Sequence, residues 1–235
     1  MEHSPRRVAI VTGGNRGIGL AVCRQLALNG VHVQIGARRF EDAEREAVRL
    51  VADGHAAAAV QLDIRSEDDV RRAVASTARS FGRLDILVNN AAALYDTWQS
   101  SIDVDFETVR SALDINLFGA WRMCRAAIPL MLEGHYGRIV NVGSVLGSMT
   151  EMWSASPAYS VSKASLNMLT RLLSKDLKDT GILVNSICPG WTETEMGGEG
   201  GRPVSEAAKG ILWAATLPED GPTGGFYHDG AAMAW

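Results

Sequence analysis

Tyr159 and Lys163 stand four residues apart in the run Tyr159-Ser160-Val161-Ser162-Lys163. In a helix that spacing puts both side chains on one face, about one turn apart. A free phenol titrates near pH ~10 and is a poor proton shuttle at neutrality. A fixed ammonium one turn away favours the phenolate and is expected to lower that pKa. A tyrosine so tuned gives a proton to a carbonyl oxygen or takes one from an alcohol. The same spacing is common on exposed helices, so its meaning depends on what the rest of the chain puts beside it.

Alternating patterns supply the scaffold. Short apolar runs read as strands over 7–11, 31–36, 57–62, 84–89, 137–142 and 182–188, with a last short strand over 223–228. Between them, amphipathic segments read as helices over 17–29, 41–53, 67–81, 106–133, 155–180 and 205–216. Strands that alternate with helices imply parallel pairing with helices on both faces. Continuous apolar strands fit a sheet buried on both sides. The expectation is one doubly wound α/β domain over residues 1–235, with ligands bound outside the carboxyl ends of the strands. The glycine-rich stretch 197–201 reads as a mobile loop.

The first strand–helix turn is Thr12-Gly13-Gly14-Asn15-Arg16-Gly17-Ile18-Gly19. Glycines let the backbone turn tightly and let a pyrophosphate approach the helix N-terminus, where free amides favour anions. The spacing departs from G-x-G-x-x-G, so an ordinary glycine-rich turn is the competing reading. Gly13, Asn15, Arg16, Gly17, Ile18 and Gly19 are the candidate cofactor residues here. Nineteen residues past Gly19, where an acid would hold the ribose hydroxyl of NAD, the chain has Arg38, followed by Arg39. Guanidinium groups match a phosphate in charge and geometry, so NADP(H) is expected over NAD(H).

The balance of the chain narrows its class. It has 235 residues, 46% hydrophobic and 21% charged, with a net charge of −4, and no basic patch of the kind that binds nucleic acid. Cys23, Cys124 and Cys188 are scattered and odd in number, which points to a reduced, cytoplasmic compartment. The five histidines show no metal-ligand spacing, so no metal is expected. The N-terminus lacks the apolar stretch of a signal peptide, and no run approaches a membrane span.

Taken in order, these motifs resemble the short-chain dehydrogenase/reductase family over nearly the whole chain. The loop 12–19 is similar to TGxxxGIG, and Leu62-Asp63-Ile64 to the segment whose Asp contacts adenine. Asn89-Asn90-Ala91-Ala92 is similar to NNAG, with Ala92 in place of Gly. Asn116, Ser144, Tyr159 and Lys163 match the catalytic tetrad, and Pro189-Gly190-Trp191-Thr192-Glu193-Thr194 the segment whose last Thr meets the nicotinamide carboxamide. Gly143 stands where many members have a second Ser. The closing segments look like those of bacterial NADPH-dependent carbonyl reductases. Ser144 and Tyr159 are only fifteen apart, without the long insertion of the monomeric reductases.

The resemblance implies a Rossmann-type fold and hydride transfer between nicotinamide and a carbonyl carbon. Tyr159 would be the general acid/base, Lys163 would lower its pKa and hold the nicotinamide ribose, and Ser144 would hold the carbonyl oxygen. Asn116 would hold a water relaying protons from Lys163, or satisfy backbone groups at a helix distortion. Asp63, Ile64, Asn90, Ala91, Pro189, Gly190, Thr192 and Thr194 join the cofactor set. Asn89 would tie neighbouring strands. Substrate contacts are expected from Leu94, Tyr95, Trp98, Met149, Trp153, Trp191 and Met196, which suit a bulky apolar carbonyl small molecule, or from core packing instead. A homodimer or homotetramer is implied, packed through the 106–133 and 155–180 helices; Trp235 is expected either to cap a neighbour's pocket or to pack on the surface. An alcohol dehydrogenase working in oxidation and a non-catalytic cofactor sensor are the alternatives.

Overall fold

The computed structural model describes residues 6–93 and 95–235. Its strands are β1 (Val8–Thr12), β2 (His32–Ala37), β3 (Ala57–Gln61), β4 (Ile86–Asn89), β5 (Gly137–Val142), β6 (Ile182–Ile187), β7 (Phe226–His228) and β8 (Ala231–Ala232). Its helices are α1 (Gly17–Leu28), α2 (Phe40–Ala52), α3 (Glu67–Phe81), α4 (Phe106–Leu113), α5 (Ala120–Glu133), α6 (Pro157–Asp176) and α7 (Val204–Ala215). The strands form one sheet in the order β3-β2-β1-β4-β5-β6-β7-β8. All neighbours are parallel except β7 and β8. The expected doubly wound parallel sheet is what the chain builds.

Every residue of β1, β5 and β6 is buried, as a sheet covered on both faces requires. Alternate side chains go to different cores. Ala9 and Val11 join Val22, Leu26, Ile35 and Ile211 under α1, α2 and α7. Ile10 goes to the opposite face, with Val74, Leu87, Met123 and Leu166 under α3, α5 and α6. Helix ends follow local chemistry. Ser66 Oγ caps α3 by accepting from the Asp69 amide at 3.2 Å, and Gly82 ends it in the left-handed region.

Two sequence expectations change. The single helix over 106–133 is interrupted by a π turn over Asp114–Gly119 that carries Asn116. There Gly119 passes so close to the segment after β3 that a Cβ would lie 2.6 Å from Ile64 Cδ1. The strand over 223–228 is shorter and has a partner, β8. Asp229 and Gly230, both at positive φ (48° and 81°), join the two as a tight hairpin. Asp-Gly between short apolar runs is the usual signal for such a turn.

Candidate active site

The carboxyl ends of β1, β4, β5 and β6 carry the motifs to one side of the sheet. The glycine loop follows β1 and is welded to the end of β4. Asn90 Nδ2 donates to the carbonyls of Thr12 (2.9 Å) and Gly13 (3.1 Å), and Thr12 Oγ1 accepts from the amides of Asn90 and Ala91, both at 3.0 Å. Gly13 sits at φ 63°, and a Cβ on Gly19 would lie 2.3 Å from the Gly13 carbonyl oxygen. The backbone path leaves room for hydrogen only.

α1 starts with no side-chain cap and no acid in its first turn, so its leading amides face outward with the helix dipole behind them. Arg16, exposed at its start, pairs with Glu195 from the segment after β6. On that segment Thr192 donates to the Gly190 carbonyl at 3.0 Å, and Thr194 Oγ1 accepts from the Gly197 amide at 2.9 Å. Thr194 Cγ2 would lie 3.6 Å from a Cβ on Gly17, so the two predicted cofactor segments face each other. Arg38 is exposed at the end of β2 and makes no ion pair among the described residues, whereas Arg39 lies 3.6 Å from Asp42. The Asp63 carboxylate is gripped by Arg65 (2.6 Å), a cation the motif reading passed over, and Ile64 is buried beside it. Uncapped amides, glycines and arginines along one edge fit a dinucleotide with its phosphates.

β5 ends at Val142 and delivers Ser144 to the same edge. Where many relatives of the motif carry a second Ser, a Cβ on Gly143 would lie 2.5 Å from Ser186 Oγ, so the space is already taken. Ser144 Oγ accepts from the Leu146 amide at 3.2 Å, and Ser144 acts on the Tyr159 phenol to lower its pKa. Tyr95 meets the Tyr159 ring edge-on, with centroids 5.2 Å apart. Lys163 is 2% exposed and donates to the Val142 carbonyl at 2.8 Å, its ammonium 5.4 Å from the Tyr159 ring centre.

This geometry corrects the electrostatic expectation. Burial raises the Tyr159 pKa, the Ser144 hydrogen bond pulls it down, and Cys188 and Tyr95 add to the rise. Burial pushes Lys163 itself down to about 8. The phenol therefore carries its proton at neutral pH.

Asn116 is buried on the π turn, with both carboxamide hydrogens engaged. Nδ2 donates to the Ala93 carbonyl (3.0 Å) and to Ser162 Oγ (2.9 Å), while Oδ1 accepts from the Ala93 amide (2.9 Å). Its side chain thus ties the segment after β4 to α6. Asn89 links β4 to β5 through Asn141 Oδ1 at 2.8 Å.

The expected substrate contacts are spread over surface loops. Trp98, Trp153, Trp191, Met149 and Met196 are all exposed, and Trp191 Nε1 donates to the Gly197 carbonyl of its own loop at 2.9 Å. Leu94 lies outside the described residues. Trp235, expected over a neighbour's pocket or on the surface, stacks on Phe226 of its own chain at 5.6 Å, with Thr150 donating to its carbonyl at 2.9 Å. Motif reading also missed Asp96. This fully buried carboxylate accepts from the amides of Ala158 and Tyr159. Asp96 belongs to no motif, and only its position three residues before Gln99 in a polar stretch hinted at a turn.

A doubly wound sheet with this loop and this Ser-Tyr-Lys cluster defines a dinucleotide-dependent oxidoreductase. The chain belongs to the short chain dehydrogenase family, whose model matches residues 7–203. It is 35% identical over 191 residues to a 3-oxoacyl-[acyl-carrier-protein] reductase of Synechocystis sp., covering 81% of this chain and 76% of that one. It is 31% identical to (+)-neomenthol dehydrogenase of Arabidopsis thaliana, over 96% and 97% of the two chains. Among solved structures, an actinorhodin polyketide ketoreductase with NADPH superposes with a TM-score of 0.86 at 28% identity, covering 95% of each chain. Among the described residues, no group of three or more His, Cys, Asp or Glu could hold a metal. No described helix is long and apolar enough to cross a membrane.

Proposed function

We propose that this protein reduces a ketone or aldehyde to an alcohol with NADPH. The observation that carries the reading is the buried Lys163 one helical turn from Tyr159, its ammonium 5.4 Å from the Tyr159 ring centre, at the edge of the sheet where Ser144 follows β5. When bound, the nicotinamide supplies the hydride. The glycine loop 13–19 holds the pyrophosphate on its free amides, with Arg16 beside it. Arg38 holds the 2′-phosphate, supported by its exposure and lack of a carboxylate partner among the described residues. Arg39, Asp63, Ile64, Asn90 and Ala91 line the adenosine end and the loop floor, and Pro189, Gly190, Thr192 and Thr194 the carboxamide end.

Ser144 holds the carbonyl oxygen, and Tyr159 protonates it as negative charge develops. Burial raises the phenol's pKa, so the form present at neutral pH carries the proton that reduction consumes. Lys163 supplies the nearby positive charge. Both donors of the Asn116 carboxamide are committed, so a proton relay there runs through a water on its main-chain carbonyl. Trp98, Trp153, Trp191 and Met196 receive a bulky apolar substrate. Exposed Phe106, Phe118, Trp121, Val161, Met168 and Leu172 on α4–α6 support a homodimer or homotetramer. Three buried free thiols support a reduced, cytoplasmic setting.

The test is NADPH and NADH oxidation over aromatic, cyclic and keto-ester carbonyls. The expected result is NADPH-dependent turnover, lost by about 10²–10⁴-fold in Tyr159→Phe with cofactor binding retained. A wild-type protein that binds NADPH but reduces none of them is the cofactor sensor instead. Arg38→Asp should shift preference toward NADH, and an unchanged preference removes Arg38 from the phosphate site.

A further inference from the structure

α6 carries Tyr159 in its first turn but has no cap of its own. Ser156, which precedes it, sits at φ 44° with no side-chain cap bond, and its buried Oγ has no partner. Pro157 follows and has no N–H to give. The next two amides, of Ala158 and Tyr159, need acceptors inside the protein.

Asp96 supplies both from sixty residues away in the chain. Its carboxylate is 0% exposed. Oδ2 accepts from the Ala158 amide and Oδ1 from the Tyr159 amide, each at 3.0 Å. Among the described residues no Lys, Arg or His pairs with it, so the positive end of α6 and these hydrogen bonds stand in for a counter-ion. Gln99 extends the link. Its Nε2 lies 3.4 Å from Asp96 Oδ2, and its Oε1 accepts from the amide of Asp105, the residue that caps α4, at 2.7 Å.

A buried carboxylate without a counter-ion is costly, and a serine or asparagine preceding the helix would cap it more cheaply. What this arrangement adds is location. The acceptor lies next to Tyr95, whose ring packs edge-on against Tyr159, and two residues from Trp98. The backbone of Tyr159 is therefore fixed to the segment after β4 at the same place as its ring.

We propose that Asp96 is a positioning residue for Tyr159, holding its main chain so that the phenol stays aimed at Ser144. The inference rests on Tyr159 being the proton donor. Displacing a reacting group by about 1 Å costs on the order of 100-fold in rate.

The experiment uses Asp96→Asn and Asp96→Ala in the full chain. Asn keeps the shape but one acceptor, and sets an NH₂ against an amide N–H. Expected are kcat losses of about 10-fold for Asn and about 100-fold for Ala, with the KM for NADPH within about twofold of wild type. Amide exchange at Ala158 and Tyr159 should quicken in Asp96→Asn, which covers an Ala variant that does not fold. An Asp96→Asn protein that melts earlier yet keeps its kcat overturns the proposal and leaves a helix cap alone. A wild-type protein that reduces no carbonyl sinks the reductase reading separately. Unchanged exchange at Tyr159 in Asp96→Asn would then sink this inference too.

Discussion

The glycine loop after β1 and the segment after β6 meet at Gly17 and Thr194, yet they are built on opposite plans. The first is closed by packing. Thr12 and Asn90 bind it at four hydrogen bonds, and a single methyl on Gly19 has nowhere to go. The second is held mostly by contacts within its own segment, and there a Cβ on Gly197 would lie 2.2 Å from the Thr192 carbonyl oxygen, against the expectation of a mobile loop over 197–201. Two isolated bridges, Thr192 to Arg202 and Thr194 to Gly198, and the exposed Arg16–Glu195 pair hold it, while Trp191 and Met196 stay on the surface. The difference teaches where shape is invariant. The glycine loop is pinned to the neighbouring strand end, whereas the segment after β6 keeps exposed side chains that can change without disturbing the sheet.

The strongest way to break the contrast is Gly19→Ala. Its Cβ meets backbone on one side, so the loop must open, with an expected loss of about 3 kcal/mol and of NADPH binding. Thermal melting and a cofactor fluorescence titration check it, and a variant that melts like wild type refutes the closed-loop account.

Lys163→Met has the next largest effect, and its sign is unusual. Lys163 titrates at about 8 in the fold against 10.5 for a free lysine, so folding disfavours its charged form. Below pH 8 that cost is constant. Between about pH 8 and 10.5 the unfolded chain holds a proton the native chain has released, and stability rises with pH. Met in its place should abolish reduction yet raise stability at pH 7 by about 1–3 kcal/mol, an advantage that shrinks from pH 8 upward. Denaturant melts at pH 7 and 9.5 read this directly. The same titration should appear in the wild-type kcat/KM for reduction as a fall above pH 8, since Tyr159 stays protonated there.

Trp98→Ala and Trp191→Ala are the mildest. Both residues are exposed, so stability should move by no more than about 0.5 kcal/mol. KM for a bulky ketone should rise while kcat holds. A large drop in melting temperature would show that these walls belong to the framework after all.

Most of the sheet was legible because a fully buried strand must be apolar throughout, as in Val8-Ala9-Ile10-Val11. The Tyr159–Lys163 pair and the glycine loop stood out by residue type and spacing, whereas Asn116 and Ser144 were singled out only through the family resemblance. A helix distortion at Asn116 was one of the readings of its polar side chain, but the π form was not legible, since the amphipathic pattern continues smoothly from α4 into α5. β8 was readable in principle from Asp229-Gly230, but two residues of strand leave no period to detect.

Residue order was enough to say that a tyrosine and a lysine share a helical face in a chain that opens on a glycine-rich strand–helix turn. Periodicity and backbone sterics act over a few residues, and the string contains them. It did not say which way the phenol's pKa moves, because desolvation is summed over β5, β6, the Tyr95 segment and α6 at once. Nor did it show that the amide of Tyr159 is held by Asp96. That bond joins residues sixty-three apart and exists only once the chain has folded around both.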